Sequence, residues 1–200
     1  MSSEPAAAHD LAGFPGLRLP LPTGGLELRR WEARDVDALV AIRDGDPEMI
    51  RWTPVPQPYT ADEARATLAK WDGRWDAGTG AALAMVAGPE GEVVGEIDLV
   101  VRSWVDRTAE IAYSVAAPAR GRGFATRALE VVRDAAVGLG FRRLVLQVEP
   151  GNHASWRLAT RCGFRLEGIQ RAAAMHQGRP VDLAILAYVV MPDAGTSSGP

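Results

Sequence analysis

Between a strand-like stretch, Glu110 to Val115, and a helix-like one starting at Ala125 stands the run Arg120, Gly121, Arg122, Gly123, Phe124, Ala125. A chain that passes from strand to helix through closely spaced glycines aims unpaired backbone N–H groups, and the positive end of the helix dipole, at one spot. That spot suits an anion such as a pyrophosphate. Glycine at 121 and 123 lets the backbone approach a ligand with no Cβ in the way, and the small Ala125 keeps the helix start close to the sheet. The loop by itself has three readings: a glycine-rich turn entering a helix, a dinucleotide-binding fingerprint, and a coenzyme A site. The second finds its first two glycines at Gly121 and Gly123 and an acid, Glu149, at the end of the next strand, but position 126 is Thr and the acid comes late. A Walker-type phosphate loop is excluded, because no Gly-Lys-Ser/Thr follows.

Periodicity supplies the elements around the loop. Leu26 and Leu28 alternate with Glu27 and Arg29 as a strand, and Asp35 precedes Val36, Leu39 and Val40 at helical spacing as an N-cap. The Pro-rich segment from Thr53 to Tyr59 is a loop. Thr60 and Glu63 form a capping box ahead of a helix that carries Ala64, Leu68, Trp71 and Trp75 on one face. Ala81 to Ala87 and Val93 to Val101 read as a hairpin around Gly88, Pro89, Glu90 and Gly91. Beyond the glycine-rich loop, Ala125, Ala128, Leu129, Val132 and Ala136 mark a helix stopped by Gly138 and Gly140, and Leu144, Leu146 and Val148 mark a strand. A short helix follows Asn152 and closes at Gly163. Phe164 to Ile169 then pairs with Val181 to Val190 through a turn at Gln177 to Pro180. The class is α/β with a mixed sheet in one domain, residues 17–191, between loose tails at 1–16 and 192–200 that are rich in Ala, Ser, Pro and Gly.

Composition narrows the function. A chain of 200 residues, 47% hydrophobic and 24% charged with a net charge of −3, has an ordinary soluble make-up. It lacks the basic footprint of a nucleic-acid binder and any apolar run that would span a bilayer. Cys162 is the sole cysteine, which rules out an intramolecular disulfide and a cysteine zinc cluster and suits a reducing, cytoplasmic setting. Small molecules or peptides are the expected partners, and no metal is expected.

In Arg120, Gly123 and Ala125 the sequence resembles the GNAT acetyltransferase superfamily, whose motif is Gln/Arg-x-x-Gly-x-Gly/Ala. It is most similar to the branch of RimJ/RimL type that acetylates ribosomal-protein N-termini, where the preceding strand reads like Glu110-Ile111-Ala112-Tyr113 and the later helix like Asn152, Ser155 and then Gly163-Phe164. The resemblance covers roughly residues 26–190. It implies a mostly antiparallel sheet splayed between strands four and five, flanked by about four helices, with acetyl-CoA as cosubstrate. The backbone of Tyr113, Ser114 and Val115 would hold the pantetheine arm like an added strand, and residues Gly121 to Thr126, Phe124 among them, would supply N–H donors to the pyrophosphate. Arg120 and Arg122 would add charge, and Asn152 would meet the pantetheine. It leaves room for a homodimer.

An amine attacking a thioester needs an oxyanion donor, a proton acceptor and an acid for the departing thiolate. The resemblance implies a backbone N–H of Tyr113 or Ser114 as the first and Ser155 as the acid. For the base, the related enzymes carry a Glu where this chain has Ala174. Glu110 is the leading substitute, with His176 and Asp98 as lesser candidates. Without a strong base the enzyme would depend on neutral amine, which favours α-amines over lysine side chains. Trp52, beside Arg51 and Thr53, and Asp182 are the expected acceptor-side residues. Cys162 reads as buried core, since no His partner is evident to activate it. The expected activity is acetyl transfer to a primary amine, with a peptide or protein N-terminus as acceptor. A small-molecule or antibiotic amine, a succinyl-CoA-type donor and a non-catalytic CoA-binding module are the alternatives.

Overall fold

In the computed structural model, which describes residues 19–20 and 25–191, strand alternation divides the core into two layers. The expected tails lie outside these residues. The strands are β1 (Leu26–Arg30), β2 (Gly80–Ala87), β3 (Glu92–Ser103), β4 (Thr108–Val115), β5 (Arg143–Val148), β6 (Arg165–His176) and β7 (Arg179–Val189). The helices are α1 (Val36–Arg43), α2 (Pro47–Trp52), α3 (Ala61–Asp76), α4 (Phe124–Gly138) and α5 (His153–Arg161). All of β2 is buried: Ala81, Leu83, Met85 and Ala87 join one core cluster and Ala82, Ala84 and Val86 the other. Side chains that alternate across a strand bury both faces only if helices cover both, and they do. Leu39, Ile42, Leu68 and Trp71 of α1 and α3 cover one face, and Leu129 and Val132 of α4 with Ala159 of α5 cover the other. Among the described residues no helix is long and apolar enough to cross a membrane.

The sheet order is β1-β2-β3-β4-β5-β7-β6, with Leu19–Pro20 adding a two-residue pair outside β1. Every pairing is antiparallel except β4 with β5. That parallel pair is short, running from Thr108↔Arg143 to Glu110↔Val145 and ending there. Beyond it β4 continues to Val115 on β3 while β5 continues to Val148 on β7. The two strands therefore diverge toward their C-terminal ends, which is the expected splay between strands four and five.

Local signals explain most boundaries. Thr60 Oγ1 accepts from Glu63 N at 3.3 Å while Glu63 returns a carboxylate to Thr60 N at 2.6 Å, completing the capping box of α3. Asp35 stands at the N-cap of α1 but caps it with no side-chain hydrogen bond. A short 3₁₀ turn, Ala33–Asp35, precedes the helix, and the carboxylate serves that turn by accepting from Glu32 N at 2.8 Å and from Arg29 at 2.6 and 2.8 Å. Burial pushes the Asp35 carboxyl up, but the Arg29 and backbone hydrogen bonds outweigh it and hold the group below its ordinary range. Two features exceed the periodic pattern. Pro47–Trp52, just ahead of the expected loop from Thr53 to Tyr59 and marked by no periodicity, is a fifth helix, started by Asp46 accepting from Glu48 N and by Pro47 in its first turn. Strand β6 runs past Ile169 to His176, because two bulges and a left-handed Ala172 (φ 48°) break the alternation that would have revealed it.

Gly95 of β3 sits opposite Val115, the last paired residue of β4. A Cβ there would lie 2.5 Å from the Ser114 carbonyl oxygen and 3.1 Å from Met85 Sδ, contacts that cannot be relieved without moving the end of β4. Gly95→Ala should cost about 1–3 kcal/mol in overpacking. Gly138→Ala, where a Cβ meets nothing within 4 Å, should be neutral or slightly stabilising. Thermal unfolding of the two variants beside the parent checks the contrast, and equal melting temperatures would refute it.

Candidate active site

Because β4 and β5 part after Glu110, the free edge of β4 from Ile111 to Val115 forms one wall of a cleft of about 880 Å³ and Leu146 to Glu149 the other. The start of α4 closes one end. Gly123, in left-handed backbone at φ 78°, is the N-cap of α4 and offers no side-chain cap. The first helical bond is Arg127 N to Gly123 O at 3.2 Å, so the N–H groups of Phe124, Ala125 and Thr126 have no partner within the helix. Gly121, at φ 76°, also lines this end. The structure thus joins an uncapped, electropositive helix start to an unpaired strand edge in a single cleft.

The expected residues distribute as follows. Tyr113, Ser114, Val115, Arg120, Gly121, Gly123, Phe124, Ala125, Thr126, Asn152, Ser155, Glu110 and Trp52 all line the cleft, while Arg122 and Asp182 do not. Arg120 is already engaged: its guanidinium pairs with Asp46, the N-cap of α2, and its Nε donates to Val115 O at 3.1 Å. Arg122 lies over the Phe124 ring, 4.8 Å from its centroid. Asp182 accepts from Ala172 N at 2.9 Å, bridging the bulged part of the β6–β7 hairpin.

Ser155 occupies the first turn of α5, whose N-cap Asn152 accepts from Ser155 N at 3.1 Å. Its hydroxyl lies 2.9 Å from the Tyr113 phenol across the cleft, and the phenol also donates to Ser155 O at 3.3 Å. Burial pushes the phenol up to about 12, so Tyr113 remains protonated at any ordinary working pH. Ser114, its neighbour, turns to the other face of the sheet and donates to Glu96 at 2.9 Å. Glu96 is gripped in turn by Arg43, with both carboxylate oxygens 2.9 Å from Nη2.

The carboxylates differ in their surroundings. Glu110 stands where β4 and β5 are still paired and shares Oε2 with Arg102 at 2.6 Å. Asp98 does not line the cleft; it pairs with Arg74 at 2.6 Å, and burial raises its carboxyl above the ordinary value despite that arginine. Glu149, just past the end of β5, lines the cleft and meets His176 Nδ1 at 2.6 Å. His176 is only 7% exposed, and its Nε2 lies 3.1 Å from Ile50 O. Sequence reading placed His176 in a hairpin without giving it a partner, and nothing local signals that β5 and the hairpin bring these two side chains together.

The mouth of the cleft is built by α2. Trp52 Nε1 donates to Glu48 Oε2 at 2.8 Å, and the ring lies so close to Gly151 that a Cβ there would come within 3.2 Å of it. Thr53, expected beside Trp52, lines the same edge, as do Glu48, Met49 and Pro54, which the sequence does not single out. Cys162, at the C-cap of α5, is 1% exposed, and burial pushes its thiol up to about 11.

Comparison with known proteins places this architecture. The acetyltransferase (GNAT) domain family matches residues 25–165. Among curated relatives, the uncharacterized N-acetyltransferase p20 of Bacillus licheniformis is 26% identical over 176 residues, covering 88% of this chain and 98% of that protein. Among solved structures, the microcin C7 self-immunity acetyltransferase MccE, in complex with acetyl-CoA and AMP, superposes with a TM-score of 0.78 at 20% identity, covering 85% of this chain and 98% of its own. RimL, a ribosomal L7/L12 alpha-N-protein acetyltransferase in complex with coenzyme A, gives a TM-score of 0.80 at 22% identity over 87% of this chain and 98% of its own. With the family match running from β1 to the start of β6, the chain belongs to the GNAT acetyltransferase family.

Proposed function

We propose that this chain transfers an acetyl group from acetyl-CoA to a primary amine by direct attack, with the α-amine of a peptide or protein as acceptor. The observation that carries the reading is the meeting, in one cleft, of the unpaired edge of β4 with the uncapped start of α4. The first suits an extended pantetheine amide chain and the second a pyrophosphate. The acetyl-CoA bound to MccE and the coenzyme A bound to RimL support the choice of donor.

The residues divide the work. Backbone N–H groups of Phe124 to Thr126 and the glycines before them take the pyrophosphate, with Arg127 nearby to add charge. Arg120 contributes by fixing the loop to α2 instead of reaching the phosphates itself. The free edge of β4 at Tyr113 and Ser114 supplies the oxyanion donor. Ser155 protonates the departing sulfur, and Tyr113, held neutral by burial, hydrogen-bonds behind it.

The acceptor follows from proton energetics. An α-amine with pKa near 7.7–8.0 is roughly a quarter to two-fifths neutral at about pH 7.5, whereas a lysine amine near 10.4 is neutral about one part in a thousand. That difference of about 3 kcal/mol favours α-amines wherever the nucleophile must shed its proton. RimL, an alpha-N-protein acetyltransferase with the same fold, points the same way. Release of coenzyme A against α-amine peptides, lysine peptides, polyamines and aminoglycosides is the test; turnover of α-amine peptides above the rest is expected, and turnover confined to another class would overturn the acceptor.

Two substitutions separate binding from chemistry. Gly123→Val puts a β-branched side chain on left-handed backbone at the pyrophosphate end, and acetyl-CoA affinity measured by calorimetry should fall at least tenfold. Unchanged affinity in the folded variant would remove this loop from the site. Ser155→Ala should lower kcat by about 10²–10⁴-fold, the range for loss of a general acid, with acetyl-CoA affinity nearly unchanged. A kcat within twofold of the parent, with chemistry rate-limiting, would exclude Ser155 as the acid.

A further inference from the structure

Acetyl transfer to an ammonium needs a group to take its proton, and the residues considered above leave that place open. Ala174 has no base to offer, and Glu110 stands at the end of the cleft where the strands are still joined, with its Oε2 paired to the permanent cation of Arg102. Glu149 is placed differently. It follows β5 at the open end and lines the cleft with Trp52 and Glu48 of α2. Its Oε1 is occupied by His176 Nδ1 at 2.6 Å, while among the described residues Oε2 has no hydrogen-bond partner.

The imidazole is fixed from both sides. Ile50 O can only accept, so Nε2 carries a proton toward it at 3.1 Å, and Nδ1 lies 2.6 Å from Glu149 Oε1. A ring held at both nitrogens cannot rotate, and the carboxylate bonded to it cannot swing away. Gln177 Nε2 donates to the same Ile50 O at 2.8 Å, so the hairpin tip anchors the end of α2 as well.

We propose that Glu149 is the carboxylate that takes the acceptor's proton and that His176 is its positioning residue. The proposal rests on the acetyl-transfer reading and deepens it: the acceptor arrives as a cation and docks on a carboxylate beside Trp52. The ammonium gives one proton to Glu149 Oε2, and the nitrogen lone pair forms a bond to the thioester carbonyl carbon. The carbon–sulfur bond breaks with its electrons going to sulfur. The second proton that nitrogen loses reaches sulfur through the Ser155 hydroxyl, and Glu149 returns the first to solvent. The products are an amide, a free thiol and one proton.

The other charged groups lining the cleft differ from Glu149 in partner or in sign. Glu48 accepts from Trp52 Nε1, Glu110 pairs with Arg102 and Arg120 with Asp46, while Arg127 and Arg161 are cations.

The experiment measures kcat/KM for an α-amine peptide against pH in the parent, Glu149→Gln, Glu149→Asp and His176→Gln, with acetyl-CoA affinity and melting temperature for each. Glu149→Gln should lose about 10²–10⁴-fold at neutral pH with acetyl-CoA affinity within twofold of the parent. Its rising limb should move to the acceptor's own pKa, about 7.7–8.0, where the parent's lies lower. Glu149→Asp should regain at least tenfold over Glu149→Gln, since a carboxylate is restored. His176→Gln should lose less, and chiefly in kcat. Rates for Glu149→Gln within twofold of the parent, an unmoved limb, no recovery in Glu149→Asp, or a loss matched by failed acetyl-CoA binding would each overturn the assignment. A parent that turns over no amine at all would instead remove the acetyl-transfer reading, and this one with it.

Discussion

Three parallel pairs join β4 to β5, and after Glu110↔Val145 the backbone hydrogen bonding between them stops. Each strand remains held on its other side, β4 by β3 as far as Val115 and β5 by β7 as far as Val148, so neither can close the gap without abandoning an intact ladder. Unpaired backbone groups left facing each other away from water are costly. A sheet that leaves a row of them open carries a vacancy of a definite shape, suited to something with its own amide groups. The glycine-rich loop, the start of α4 and the Tyr113–Ser155 contact are all arranged around that vacancy. The close approach of Gly95 to the Ser114 carbonyl shows how tightly the far end of β4 is held to its one remaining neighbour.

The short helix α2 is tied into this arrangement at both ends. Arg120 of the glycine-rich loop grips Asp46 at its start, and His176 and Gln177 of the hairpin converge on Ile50 O near its finish. Trp52, close against Gly151 and bonded to Glu48, sits on a helix held by three parts of the chain distant in sequence: the glycine-rich loop, the hairpin and the segment at Gly151. The proposed donor and acceptor ends share one mechanical frame. The Arg120 side chain, read from sequence as added charge for phosphates, is used to build that frame, which leaves the proposed phosphate end to the backbone.

What could be read from the sequence and what could not divide along physical lines. Elements whose signal repeats over several turns or strand residues were legible: the stripe of Ala128, Leu129, Val132 and Ala136 on α4, the Thr60–Glu63 box of α3, and the alternation of β5 all fold as their spacing requires. The glycine-rich loop was legible because a left-handed backbone needs glycine, and Gly121 and Gly123 both adopt it. Helix α2 was not, since six residues hold too little periodicity, and the second half of β6 was hidden by its bulges. Side-chain partnerships were the least accessible. Glu149 and His176 lie on different elements 27 residues apart and meet only through the register of β5, β7 and β6. Asp182 could be placed in the hairpin from sequence, but its use as a brace for Ala172 depends on a bulge that no residue pattern announces.

The state of Cys162 bears on how such an enzyme is observed. The chain's single thiol is 1% exposed and pushed up to about 11, so at neutral pH the folded protein presents almost no thiolate to a disulfide dye. Colour developed in a reaction mixture then counts coenzyme A, with little contribution from the folded protein. Once the chain is denatured the same dye gains one equivalent per molecule, so the ratio of slow to immediate colour is a direct titration of how much of a preparation is folded.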